Sequence, residues 1–151
     1  MAKIHNDHQL RAALDALDAD RQRALGAAFA RSVIRLSRDD RVNRAIETAL
    51  RADCTPAEAE DAYRAARAYA TKTYTDCGKD TDWLAQADHF VAAAAAAALT
   101  PDALLGERQN RAWKAAVQAR MAANCELMET DEVADETETE RQYAIANAWL
   151  S

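Results

Sequence analysis

Glycine and proline are scarce in this chain of 151 residues, with three of the first and two of the second. Folds rich in sheet need many reversals, and reversals draw on these residues, so a sheet-rich fold is excluded. Gly26, Gly78 and Gly106 stand too far apart for a phosphate-cradling loop, a dinucleotide fingerprint or a nucleophile elbow. Histidine is equally rare. His5, His8 and His89 cannot compose an HExxH site or paired ExxH ligands, and neither a metal nor a cofactor is expected. Cys54, Cys77 and Cys125 contain no CxxC, which removes zinc ribbons and dithiol redox motifs. The longest apolar run, residues 90–99, is ten residues of mostly alanine, far short of the roughly 20 that cross a bilayer. The opening MAKIHNDHQL has no apolar signal-peptide core. An odd number of cysteines without framework spacing fits reduced thiols, so a cytoplasmic location away from membranes is the expectation.

What fills the chain is alanine. It supplies 39 residues, whereas Leu, Ile, Val and Phe together supply 23. So few large apolar residues would suit a disordered chain, but they recur at helical spacing, and alanine is the best helix former. A first helix is expected from Asp7, as its cap, to Leu17, with Leu10, Ala13, Leu14 and Leu17 on one stripe. A second starts at Asp20 and carries Leu25, Phe29, Val33 and Leu36. A third starts at Asp39 or Asp40 and buries Val42, Ile46, Ala49 and Leu50. Thr55-Pro56-Ala57-Glu58 is a capping box opening a fourth, which weakens through Thr71, Thr73 and Thr75 and stops at Gly78. The fifth spans residues 81–99 and is apolar on every face, which predicts a central position. Thr100-Pro101 repeats the start signal for a sixth helix reaching Met128, with Trp113, Val117, Met121 and Met128 on its stripe and Gly106 able to split off a first turn. A last helix covers residues 135–150, packing Tyr143, Ala146, Trp149 and Leu150. The predicted fold is all-α: one helical domain over residues 1–151, a compact bundle of six or seven mostly antiparallel helices.

Charge is unevenly placed. The net value is −6, yet residues 21–51 hold eight arginines against three acids. Such a run suits a phosphate-binding surface, but its arginines alternate with apolar stripes as solvated faces do, and nucleic acid is not the favoured partner. Residues 126–140 hold eight carboxylates and no base, a surface that would steer a basic protein partner. Glu126, Glu129, Asp131 and Glu132 are the candidate contacts. The alternative is a solvated acidic loop before a helix start.

Few residues suggest chemistry. Asp88-His89 is an acid/base candidate, or else a partly buried imidazole with its hydrogen bonds satisfied. His5 and His8 are weak chelators at a polar terminus. The fourth helix holds Cys54 and Cys77 about 30 Å apart, too far for an internal disulfide. Tyr63 and Tyr74, eleven residues apart, share one face of that helix. With Trp83, Asp88, His89 and Trp113 they are candidate lining residues for a pocket inside the bundle, or ordinary core filling the gaps that alanine leaves.

AFARSVIRL, YRAARAYA, LAQADHFVAAAAAA and AWKAAVQAR resemble the alanine-arginine helices of small immunity proteins from bacterial polymorphic-toxin systems. The likeness covers residues 24–120 and lies in composition and helix order, with His89 the one family-like position. It implies stoichiometric inhibition of a toxin without catalysis. The acidic segment and the Trp149 helix depart from it. Three functions remain from the sequence: a non-enzymatic protein-binding module, a pocket for a small molecule, and an enzyme whose groups, His89 and Asp88 with Cys77 or Tyr74, meet only on folding. A homodimer is compatible with alanine-faced helices.

Overall fold

The computed structural model describes residues 3–74, 81–131 and 136–151. Every α-helix among them starts at a side chain that accepts a backbone N–H. Asn6 caps α1 (Asp7–Asp15), Asp18 caps α2 (Ala19–Arg31) and Asp39 caps α3 (Asp40–Leu50). Thr55 caps α4 (Pro56–Thr73), with Glu58 bonding back to complete the expected capping box. Asp82, Asn110 and Thr137 cap α5 (Trp83–Leu99), α6 (Arg111–Thr130) and α7 (Glu138–Leu150). Each such cap is worth about 1 kcal/mol. In a chain so poor in glycine and proline, these caps carry most of the punctuation. The protein is all-α, a compact bundle of seven α-helices among the described residues.

The structure shifts several expected boundaries. Asn6, not Asp7, caps α1, and Asp18, not Asp20, caps α2. The second helix does not run on to Leu36: Val33 leaves the helical region at φ −115°, ψ 14°, and a single 3₁₀ turn (Ile34–Leu36) follows. Thr100-Pro101 opens only another such turn (Asp102–Leu104). Thr100 instead closes α5, its hydroxyl donating to Ala96 O at 2.9 Å. Unlike Thr55, it has no Glu or Gln three residues on to complete a box, because Ala103 stands there. Thr75, Gly78 and the starts at Asp80 and Asp135 lie outside the described residues.

The fifth helix is central, as expected: α2, α3, α4 and α6 all pack against it. Its inner positions, including Val91, Ala92, Ala94, Ala95 and Ala98, are fully or almost fully buried. The α6 stripe of Trp113, Val117, Met121 and Met128 is not its buried face. Met121 and Met128 are 42% and 59% exposed, while Ala112, Ala115, Ala116, Ala119 and Ala122 are buried. Alanine faces alanine across α5 and α6, an arrangement that lets helix axes approach to about 8 Å. Trp149, expected to pack, is 38% exposed.

Two cores share the wall made by α2 and α6. One surrounds α5 and is mostly alanine, with Val33, Leu36, Val42, Ile46, Val91 and Leu99 as its larger members. The other lies on the far side, where Ile4, Leu10, Leu14, Leu25 and Phe29 meet Ala112, Ala116 and Ala146. Ile4 is tied to α7: Asn147 bonds both Ile4 N (2.8 Å) and Ile4 O (3.1 Å). Asp7 receives Arg120 through both oxygens, at 2.8 and 3.0 Å, and the Tyr143 hydroxyl at 2.8 Å. That bond to Arg120 holds the Asp7 carboxyl below its usual range. Arg120 and Arg11 also lie over the Trp113 ring, 5.2 and 5.0 Å from its centre.

Buried polar groups complete helix ends. Arg23 donates to Ala49 O and Arg51 O, both at 3.1 Å, closing the C-terminus of α3. Arg111 donates to Thr100 O (2.6 Å) at the C-terminus of α5 and to Asp102. A cation at a helix C-terminus meets the negative end of the macrodipole. Gln142, wholly buried, donates to Ala116 O and accepts from Arg120. No described helix is long and apolar enough to cross a membrane.

Gly26 marks the tightest approach. A Cβ there would lie 3.1 Å from Ala98 Cβ and 3.2 Å from Ala112 Cα, the latter a backbone atom that cannot rotate away. Gly26→Ala should therefore fail to gain the roughly 1 kcal/mol that helix propensity offers. Gly26→Val should lose about 3 kcal/mol by overpacking. Urea unfolding of both variants checks this, and a stabilised Gly26→Ala would show that α6 can give way.

Candidate functional site

The outer face of α5 is not covered by α4 or α6. Both helices pack on α5 without packing extensively on each other, and the strip between them forms an open groove of about 830 Å³. Its floor is His89, Ala93, Ala96, Ala97 and Thr100, residues that share one helix face and span about 16 Å at 1.5 Å per residue. One wall is Tyr63, Arg67, Ala70, Thr71 and Tyr74 from α4 and its C-cap. The other is Lys114 and Gln118 from α6, with Leu104 at the end.

Among the described residues, no acidic side chain lines this groove. The Arg67 and Lys114 side chains, on opposite walls, have no ion pair or hydrogen bond among the described residues, whereas Arg64, three residues before Arg67 on α4, pairs with Glu60 at 2.6 Å. In a chain of net charge −6, the groove is a local cationic site over an apolar floor. Tyr74 is 70% exposed and its ring meets the His89 ring edge-on, 6.0 Å between centres.

His89 is held from α4. Its Nδ1 lies 3.1 Å from Thr73 Oγ1. That hydroxyl also lies 2.8 Å from Tyr69 O and 3.4 Å from Ala70 O; donating its one proton to Tyr69 O makes Nδ1–H the donor to it. Nε2 is then left with a lone pair. Burial holds the imidazole below its usual pKa, against a bond to the Ala70 carbonyl and the charge of Asp88, which favour protonation. At neutral pH His89 is an uncharged ring in the groove floor.

The expected acid/base pair is not assembled. Asp88 is 4% exposed and turned to the other side of α5, where it accepts Arg38 N–H at 2.7 Å and the Tyr69 hydroxyl at 2.6 Å. It ties α5 to α4 and to the segment before α3. Of the six pocket candidates, the groove brings together Tyr63, Tyr74 and His89. Trp83 packs at the edge of the alanine core, and Trp113 lies against the leucine core under its two arginines. The enzyme arrangement with Cys77 lies outside the described residues; Cys54 is half-buried at the head of α4 and Cys125 is buried in α6.

Neither cation belongs to a local sequence motif. Arg67 follows Tyr63 by four residues and precedes Tyr74 by seven, so the spacing that joins the tyrosines also includes it.

The acidic stretch is partly neutralised. Glu126 receives Arg35 at 2.8 and 3.3 Å, and buried Glu138 accepts the Ser32 hydroxyl at 2.6 Å and pairs with Arg141. Glu129 and Asp131 are exposed, and Asp131 ends α6 in the left-handed region at φ 52°. Glu132 lies outside the described residues. In the arginine run, Arg23, Arg35, Arg41 and Arg51 are all bonded to carbonyls or carboxylates. Among the described residues no cluster of three or more His, Cys, Asp or Glu is placed to hold a metal. No protein-family model, curated protein or solved structure matches this chain.

Two outcomes follow from this geometry. Burial and the bond to Asp88 push the Tyr69 phenol up to about 12. Tyr69→Phe leaves a buried carboxylate oxygen unpaired and should destabilise by about 1–3 kcal/mol, read by urea unfolding; no loss would show that Asp88 is dispensable as a tie. His89 should titrate below 6.5 in a ring-proton NMR series. Because the unfolded chain takes up this proton first, stability should fall as pH drops from 6.5 to the folded-state value, then level. His89→Gln should remove that slope, and a titration at or above 6.5 would contradict the account.

Proposed function

We propose that this chain is a non-enzymatic binding protein and that the groove over α5 is its binding surface for a negatively charged, partly apolar ligand. The observation that carries this is the pair Arg67 and Lys114, whose side chains are unpaired on facing walls of a groove lined by no acid among the described residues. Opposed cations over an apolar floor suit an anion with an apolar body, and complementary charge fixes its orientation. Catalysis fits less well, because His89 has no carboxylate beside it in the groove and its Nδ1 is committed to α4. The resemblance to immunity proteins agrees with this reading, since those proteins act by binding. An acidic surface for a basic partner is weaker support for the same class, with Glu126 already engaged by Arg35. The reading places the protein in the cytoplasm, where the half-buried Cys54 stays a thiol.

The direct test is titration with 1-anilinonaphthalene-8-sulfonate, an apolar anion whose fluorescence rises on binding. Saturable binding near one per chain is expected, weakened about tenfold or more when Arg67 and Lys114 are both changed to Ala. Far-UV circular dichroism should be unchanged, as Arg67 is exposed and Lys114 only partly buried. Absent binding, or binding indifferent to both changes, would remove the groove as the site.

A further inference from the structure

We infer that the occupant of the groove is a helix of another protein, about three turns long, with acidic residues on both flanks of its apolar face. This rests on the groove being the binding surface, and it adds which ligand fits.

Shape is the first argument. The groove is a straight trough whose floor and walls are helices, and it is open to solvent rather than roofed. A small molecule normally has most of its surface covered by its site, which an open trough does not supply. A helix lying in it would meet α4, α5 and α6 together. The floor between His89 and Thr100 is alanine, so a visiting backbone can approach α5 as closely as α6 does. About 16 Å of floor corresponds to three turns at 5.4 Å each.

Charge is the second. Arg67 stands on one wall and Lys114 on the other, both without partners among the described residues. A helix that presents carboxylates on both sides of its apolar stripe would meet one cation on each. A basic helix would meet both cations unscreened, with no acid among the described lining residues to receive it.

The test uses the full chain as bait for a displayed library of 18-residue helices. The buried stripe is Ala, Leu or Met, and the flanks are randomised over Glu, Lys, Gln and Ser. The enriched helices should carry Glu on both flanks. Their Kd should rise at least tenfold on Arg67→Glu with Lys114→Glu, while Lys-flanked helices gain on that same double variant. Ala93→Trp, which fills the floor, should abolish binding; the exposed Arg67→Glu serves where Ala93→Trp does not fold. Enrichment without acidic flanks, or binding unaffected by the double charge reversal, overturns the inference. If the sulfonate dye binds the groove while no helix is enriched, the ligand is a small anion: this inference falls and the binding reading stands. If neither binds, both fall. Self-association in sedimentation that Arg67→Glu abolishes would put a second copy of this chain in the trough, and would also overturn it.

Discussion

The close approach of α2 and α6 to α5 is the constraint on which the bundle depends. Alanine makes it possible, because a methyl group is the largest side chain that leaves room for axes about 8 Å apart. At Gly26 even a methyl is tight: Ala98 and the Ala112 backbone stand 3.1 and 3.2 Å from where it would be, so one of them must give. Each buried alanine contributes little apolar area, so no single one dominates. Alanine also has no side-chain rotamers to lose, which offsets the small gain per residue. The alanine core is therefore stable through the number of its contacts, and intolerant of added volume.

Large side chains are displaced by this arrangement. Leu10, Leu14, Leu25 and Phe29 gather in a separate core on the far side of α2 and α6, where α1 and α7 supply the space. Others are left on the surface. Met121 and Met128 point away from α5 because Ala115, Ala119 and Ala122 take the inner face. Tyr63 and Tyr74 become the wall of the groove for the same reason. The groove is thus a consequence of how α5 is packed: small residues on its outer face leave it low between two helices that carry longer ones.

Helix number and the central place of α5 were readable from composition and from the apolar run. The capping box at Thr55 was readable to the residue, because box and proline are local signals. Thr100-Pro101 misled, since only half of the box is present. The α6 face was misread for a different reason. Large apolar residues on α6 are Trp113, Val117 and Met121, whereas the positions this helix buries are mostly alanine: Ala112, Ala115, Ala116, Ala119 and Ala122. Hydrophobic periodicity assumes that size and burial rise together, and an alanine core reverses this. In the site, Tyr63, Tyr74 and His89 were named because aromatic and imidazole groups attract attention. Arg67 and Lys114 were not, because an isolated cation on a helix is ordinary until its environment shows that nothing balances it. Asp88 was paired with its chain neighbour, though adjacent residues on a helix point about 100° apart.

That same divergence bears on how the groove can act. Asp88 and His89 are consecutive, one fixed inside the bundle and one lying in the groove floor. Asp88 anchors α5 through Tyr69 and the Arg38 backbone, and α5 is further held by Ala98 against Gly26. A ligand pressing on the floor cannot shift α5 without breaking these contacts. The floor itself has no flexible side chain to order, apart from the His89 ring already held by Thr73. Ordering costs of about 0.5–1.5 kcal/mol per long side chain then fall on the walls, on Arg67, Lys114 and Tyr74. A rigid floor with mobile charged walls is the arrangement expected of a preorganised binding surface: shape is set before the ligand arrives, and charge adjusts to it.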